Sequence, residues 1–166
     1  MGRFGPSVGG MTATLHTPVQ IPARMAPKKL TPDSYRAMIA LDGAAAAASI
    51  ETPLQELVRI RASQLNGCVY CIDMHTTDAR NAGESEQRLY ALSAWQESSQ
   101  FTARERAALR LTEAVTLVAD SHVPDEDYAA AAAEFTEVEL AELLWTIIVI
   151  NAWNRLAVTS RLVPGT

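Results

Sequence analysis

Apolar residues along this chain fall at three- and four-residue intervals, the spacing that gathers one face of an α-helix. Thr31 followed by Pro32 supplies an N-cap and a proline at the first helical position, which predicts a helix through Tyr35, Met38 and Ile39 into Ala44 to Ala48, with Gly43 weakening its middle. Thr52-Pro53-Leu54-Gln55 is a second start with the spacing of a capping box, and Leu54, Leu57, Val58 and Leu65 continue on one stripe until Asn66-Gly67 ends it. A third helix is expected from near Cys68 to about Asn81, stopped by Gly83, and a shorter one from Ser85 to Trp95. Thr102 and Glu105 form another capping box ahead of Ala107, Ala108, Leu111, Ala114, Val115 and Val118. Beyond Pro124, Ala129 to Ala133 has high helix propensity, and Thr136 opens a last helix that is apolar on nearly every side from Leu140 to Val158. Glu142, Asn151, Asn154 and Arg155 interrupt that helix before ~18 uncharged residues accumulate, so it reads as a buried helix and not a membrane span. No segment alternates at period two between turn signals. The expected class is therefore all-α, with antiparallel helices and a buried C-terminal helix.

Composition narrows the possible functions. With 166 residues, 48% hydrophobic and 20% charged, the chain fits one soluble globular domain that can build its core without disulfides or structural metals. A net charge of -5 without clustered Lys and Arg argues against a nucleic-acid partner. The first residues carry only Arg3 and no long apolar run, so no secretory signal is read and a cytoplasmic location is expected. Gly2 to Gly10 reads as a flexible extension, and Pro18, Pro22 and Pro27 mark an ordered or wrapping arm. The expected division is an N-terminal extension and arm at 1–30 and a helical domain at 31–166.

The chemistry concentrates in Cys68-Val69-Tyr70-Cys71-Ile72-Asp73-Met74-His75. Positions i, i+3 and i+7 share a helical face, so Cys68, Cys71 and His75 form one stripe, while Val69, Ile72, Thr76 and Ala79 are expected on the adjoining, core-facing stripe. Both cysteines sit in the first turn after Asn66-Gly67, where free backbone amides and the helix dipole favour a thiolate. Adjacent turns can also bring the two sulfurs close enough for disulfide exchange. His75, one turn beyond Cys71, is placed to take its proton. A base needs an orienting partner. Glu56 lies roughly 16 Å before the Gly67 turn and His75 roughly 12 Å after it, so an antiparallel hairpin brings them nearly level. Asp78, three residues after His75, competes for the same role, and spacing alone does not separate the two.

The segment Glu56 to Arg80, with its Glu, its Asn-Gly-Cys-Val-Tyr-Cys and its Met-His, resembles the core motif of the AhpD-like alkylhydroperoxidases in the carboxymuconolactone decarboxylase superfamily. Trp95, the Phe101 to Ala108 stretch and Ile150-Asn151-Ala152-Trp153-Asn154-Arg155-Leu156 extend the resemblance over most of Thr31 to Val163. It implies an all-helical subunit, assembled as homotrimers or homohexamers, that reduces hydroperoxides with a cysteine pair and is reset by an external thiol. Carried over by position, Cys71 is the peroxide-attacking thiolate, Cys68 the resolving thiol, and His75 with Glu56 the proton relay. The sequence departs from the best-studied branch in having Tyr70 where that branch has a His before the second cysteine. The superfamily's decarboxylases lack the cysteine pair, so Cys68 and Cys71 weigh against that branch.

Plainer readings compete. Cys68, Cys71, His75 and Glu56 could make a tetrahedral zinc site, but structural zinc usually ties distant segments of a small domain together, and no metal or other cofactor is expected here. Glu56 could simply pair with Arg59 or Arg80. His16 and His122 lie outside the motif and carry no assignment, whereas Trp145, Trp153 and Tyr128 suit a core or subunit interface. Buried Asn154 and Arg155 need partners, which an intersubunit contact would supply. The alternative to a peroxidase is a non-catalytic helical module for oligomerisation or metal binding, motivated by the apolar Leu140 to Val158 helix.

Overall fold

The structure is a computed structural model that describes residues 19–164. Pro18, His16 and the Gly2 to Gly10 extension lie outside the described residues. In chain order the elements are α1 (Pro27–Leu30), α2 (Pro32–Ala46), α3 (Thr52–Leu65), α4 (Val69–Asn81), α5 (Glu86–Ala91), a 3-10 segment (Leu92–Glu97), α6 (Ala103–Thr116), α7 (Val118–Ser121), α8 (Asp125–Ala132) and α9 (Glu137–Ser160). The class is all-α, with no strand among the described residues. No described helix is long and apolar enough to cross a membrane.

The capping boxes at Thr102 and Thr136 form with both reciprocal hydrogen bonds, so α6 and α9 begin where their sequence signals stand. Two other starts differ from expectation. Thr31 is the N-cap of α2 and Pro32 its first residue, as expected, but the Thr31 hydroxyl donates to the Pro27 carbonyl and makes no side-chain cap. The predicted box at Thr52 is also missing. Glu51 is the N-cap there, and the Gln55 side chain turns inward to donate to the Ile50 carbonyl at 3.0 Å. The predicted Ser85 to Trp95 helix splits after Ala91 into the 3-10 turn, with a kink at Ala94.

The most enclosed helix is α3. It packs against α4, α6 and α9, and every residue from Leu54 to Ile60 is buried. On one side Leu54, Val58, Leu111, Leu143 and Ile147 join with Phe135. On another, Leu57, Ile60, Leu92, Trp95 and Leu109 pack with Ala79 of α4. A third cluster joins Ala62, Cys68, Cys71, Ile150 and Ala157, so the cysteine pair is wedged between the end of α3 and α9. A helix enclosed on all sides carries its polar side chains into the interior, where each must find a partner. Among the described residues no buried side-chain nitrogen or oxygen lacks one.

The C-terminal helix α9 buries Leu140, Leu143, Ile147, Ile150 and Ala157 toward α3, while Leu144, Trp145 and Ile148 on its other side remain 40–51% exposed. The arm lies along its far end: the Arg24 backbone N–H donates to the Ser160 carbonyl at 2.9 Å.

Candidate active site

The turn between α3 and α4 sets the cysteines in place. Gly67 takes a left-handed φ of 64°, and the Cys68 N–H returns to the Ser63 carbonyl at 3.0 Å, which closes α3. Cys68 is then the N-cap of α4, its sulfur accepting from the Cys71 N–H at 3.3 Å. The Cα atoms of the pair are 5.4 Å apart, within the range a disulfide needs, and the two sulfurs are joined. The metal-capable grouping among the described residues is Glu56, His75 and Asp78, whose ligand atoms lie within 4.8 Å of one another.

The orientation of α4 differs from the expected one. Cys71, His75 and Ala79 form its buried face, whereas Val69 is 56% exposed and Ile72 and Thr76 are half-buried. Chemistry and core therefore share a face. The spacing allowed either stripe to turn inward, and the enclosure of α3 decides it: the α3 side chains facing α4 include Glu56, a group that only a polar partner can satisfy.

That partner is His75. Its Nδ1 lies 2.8 Å from Glu56 Oε2, while Arg59 donates to Glu56 Oε1 at 2.6 Å and to Gln55 Oε1 at 3.1 Å. The chain of contacts runs from the Ile50 carbonyl through Gln55, Arg59 and Glu56 to His75, and all four side chains are buried. Burial alone would raise the Glu56 carboxyl, but the hydrogen bond and charge of His75 and the charge of Arg59 outweigh it and hold the group below its ordinary 4.5. The carboxylate is thus the stable form at neutral pH. Asp78 remains exposed beside the pair, and the Nδ1 contact goes to Glu56.

A cavity of about 170 Å³ opens onto this chain of groups, with Cys71, His75, Arg59, Tyr70, Trp153 and Tyr35 in its wall. The Tyr35 and Trp153 rings meet edge to face at 5.3 Å. Tyr70, the position that departs from the best-studied branch, is half-buried in that wall. From sequence Arg59 reads only as a surface partner for Glu56, whereas the structure buries it in the cavity wall. Its i,i+3 spacing from Glu56 was the available signal.

A polar network anchors the turn from the other side. The Asn66 amide donates to Asn151 Oδ1 and Asn154 Oδ1, each at 2.9 Å, and Asn154 donates to Ser63 Oγ at 3.0 Å. Arg155 donates to Asn151 Oδ1 at 2.8 Å. Asn154 is buried and finds its partner within the chain, whereas Arg155, expected to be buried, is exposed and bonds Asn151, so neither calls for an intersubunit contact. Replacing Asn154 with Ala removes the donor to Ser63 Oγ, which keeps its own bond to the Arg59 carbonyl, and one of the acceptors of the Asn66 amide, and should lower unfolding free energy by about 1–3 kcal/mol in urea titrations.

Residues 32–114 match the carboxymuconolactone decarboxylase family. The chain belongs to that family, as an AhpD-like member. The YdfG protein of Bacillus subtilis, itself uncharacterised, is 41% identical over 130 residues, covering 78% of this chain and 88% of YdfG. A protein of unknown function from Agrobacterium tumefaciens, to which AhpD-type antioxidant defence has been ascribed, superposes with a TM-score of 0.84 at 35% identity, over 87% of this chain and all of the other. The debrominase Bmp8 shares the fold at a TM-score of 0.70 and 22% identity, over 81% of this chain and 73% of its own. For this carboxymuconolactone decarboxylase family member the matched region contains the whole Glu56 to Arg80 segment, and so Glu56, Arg59, Cys68, Cys71 and His75, whereas Trp153 of the cavity wall lies beyond it.

Proposed function

We propose that the protein is a thiol-dependent peroxidase in which Cys71 attacks a hydroperoxide and Cys68 resolves the product. The observation that supports this reading is that Cys71 shares one cavity with His75, whose Nδ1 is tied to the Glu56 carboxylate, while Cys68 is joined to Cys71 from the preceding turn. The Cys71 thiolate forms a bond to the terminal peroxide oxygen as the O–O bond breaks. His75 delivers the proton that lets the alcohol leave, and Cys71 is left as a sulfenic acid. Attack by the Cys68 sulfur then expels water and closes the disulfide, and two electrons from an external thiol reopen it. Glu56, against His75 Nδ1, holds the imidazole in one tautomer and orientation, as the carboxylate does in hydrolytic triads. The antioxidant role ascribed to the Agrobacterium protein supports the same reading. The exposed α9 strip of Leu144, Trp145 and Ile148 supports self-association of the subunits.

The test is to mix pre-reduced protein with one equivalent of cumene hydroperoxide. Loss of one peroxide per subunit together with formation of the Cys68–Cys71 disulfide is expected. Thiols that stay reduced while peroxide persists would exclude the reading. A brominated pyrrole run in parallel checks whether the Bmp8-like fold brings Bmp8-like chemistry.

A further inference from the structure

The cavity that holds Cys71 and His75 also has Asp42 in its wall, half-buried and without a part in the chemistry above. Among the described residues it is the partly buried carboxylate that has neither a hydrogen bond nor an ion pair. The comparable groups are all engaged: Glu84, Glu105, Glu113, Asp127 and Glu139 pair with arginines, and Glu142 accepts from Ser49. Polar groups withdrawn from solvent ordinarily find partners within the chain, so one that has none inside a cavity is free to meet whatever enters.

The cation-forming groups of the same wall are already answered. Arg59 donates to Glu56 Oε1 at 2.6 Å and to Gln55 Oε1 at 3.1 Å, and His75 Nδ1 faces Glu56 Oε2 at 2.8 Å. Asp42 has no such counterpart and is the uncompensated charge of the cavity. Tyr35, Ile39 and Asp42 stand at positions i, i+4 and i+7 of α2, one face of that helix, so its share of the wall runs from an aromatic ring to a carboxylate over roughly 10 Å. Tyr70, Met74, Ile150 and Trp153 make most of the remaining wall apolar. Ile39 and Met74 are 51% and 40% exposed, so the cavity is open to solvent and a ligand can enter. An apolar cavity with one placed charge takes its orientation and its selectivity from that charge.

We propose that Asp42 makes this cavity selective for a ligand that carries a protonated amine on an apolar body, and that it turns carboxylated ligands away. The apolar wall takes the body, and the carboxylate of Asp42 accepts from the ammonium. An anionic ligand of the same shape meets a like charge, and the arginine that would offset it is held by Glu56. On the peroxidase reading, on which the inference rests where it concerns substrate, the organic part of the hydroperoxide is of this amine-bearing class.

The experiment needs no peroxide, so it separates this inference from the peroxidase reading. The full chain in its disulfide form is titrated at 20 mM salt with 3-phenylpropylamine, 3-phenylpropanol and 3-phenylpropanoate, three probes of one shape and different charge, and binding is followed by ligand-observed NMR. The amine should bind about fivefold more tightly than the alcohol, the upper end of what one partly exposed ion pair contributes, and the carboxylate should bind most weakly. Asp42→Asn should bring amine and alcohol to within twofold of each other. Asp120→Asn removes the same charge from an exposed position on α7, outside the wall, and should leave the preference intact. In the unaltered protein the preference should shrink in 0.5 M NaCl, a measurement that needs no variant. Equal binding of the three probes, binding of none, a carboxylate that binds tightest, or an amine preference that survives Asp42→Asn or high salt each overturns the proposal. An amine preference in a protein that ignores hydroperoxides would leave this site standing and reject the peroxidase, whereas peroxide consumption without the preference would reject the role of Asp42 alone.

Discussion

Cys71→Ser is expected to abolish catalytic peroxide consumption, with a fall of roughly 10³-fold or more, because a neutral hydroxyl cannot replace the thiolate as nucleophile. The fold should survive. Cys71 is 1% exposed among Ala62, Ile150 and Ala157, and Ser is nearly isosteric, so the cost is that of placing one hydroxyl in an apolar setting, about 1–3 kcal/mol. Far-ultraviolet circular dichroism should therefore be unchanged. Cys68→Ser is the informative contrast. Residue 68 is the N-cap of α4, and Ser is a preferred residue there, so this variant should fold at least as well as the parent. It should destroy one equivalent of peroxide and stop as a Cys71 sulfenic acid, detectable as a dimedone adduct. If the Cys68 variant failed in that first step while the Cys71 variant retained it, the two roles would be reversed.

Glu56→Gln should damage both stability and rate. The amide keeps the size of the carboxylate but not its charge, which leaves Arg59 buried with Gln55 as its remaining side-chain partner and His75 without an anion. Breaking one side of a buried ion pair costs about 3–5 kcal/mol, so the urea midpoint should fall clearly at pH 7. Turnover should fall by roughly 10²-fold or more through loss of the oriented proton carrier. The pH dependence of the stability difference follows from the depressed carboxyl. A group held below its unfolded value of 4.5 contributes stability that is complete above that value and is lost as pH falls through the folded value. The gap between parent and variant should thus be constant near neutrality and narrow below about pH 4.5. A gap that persists unchanged in acid would show that Glu56 contributes by packing and not by charge.

The element pattern was readable because it depends on neighbours in sequence. Capping boxes at Thr102 and Thr136 operate within four residues, and Gly67 and Gly83 adopt positive φ where the chain must leave a helix. The antiparallel arithmetic that set Glu56 level with His75 also needed only helix rise and one short turn, and the two side chains meet at 2.8 Å. Where a local signal competed with burial, burial won. The Thr52 box gave way because Gln55 was needed inside to reach Ile50 and Arg59.

What the chain's own residues determined was the helical class, the turn that delivers Cys68 and Cys71 to a helix start, and the set of groups within one turn of each other. Which stripe of α4 turns inward, how deeply Glu56 is enclosed and which side chains wall the cavity at Cys71 were decided only by tertiary packing. A 3.6-residue period defines faces without saying what lies opposite them, and the cost of burying a carboxylate depends on the His and Arg that the surrounding helices bring to it.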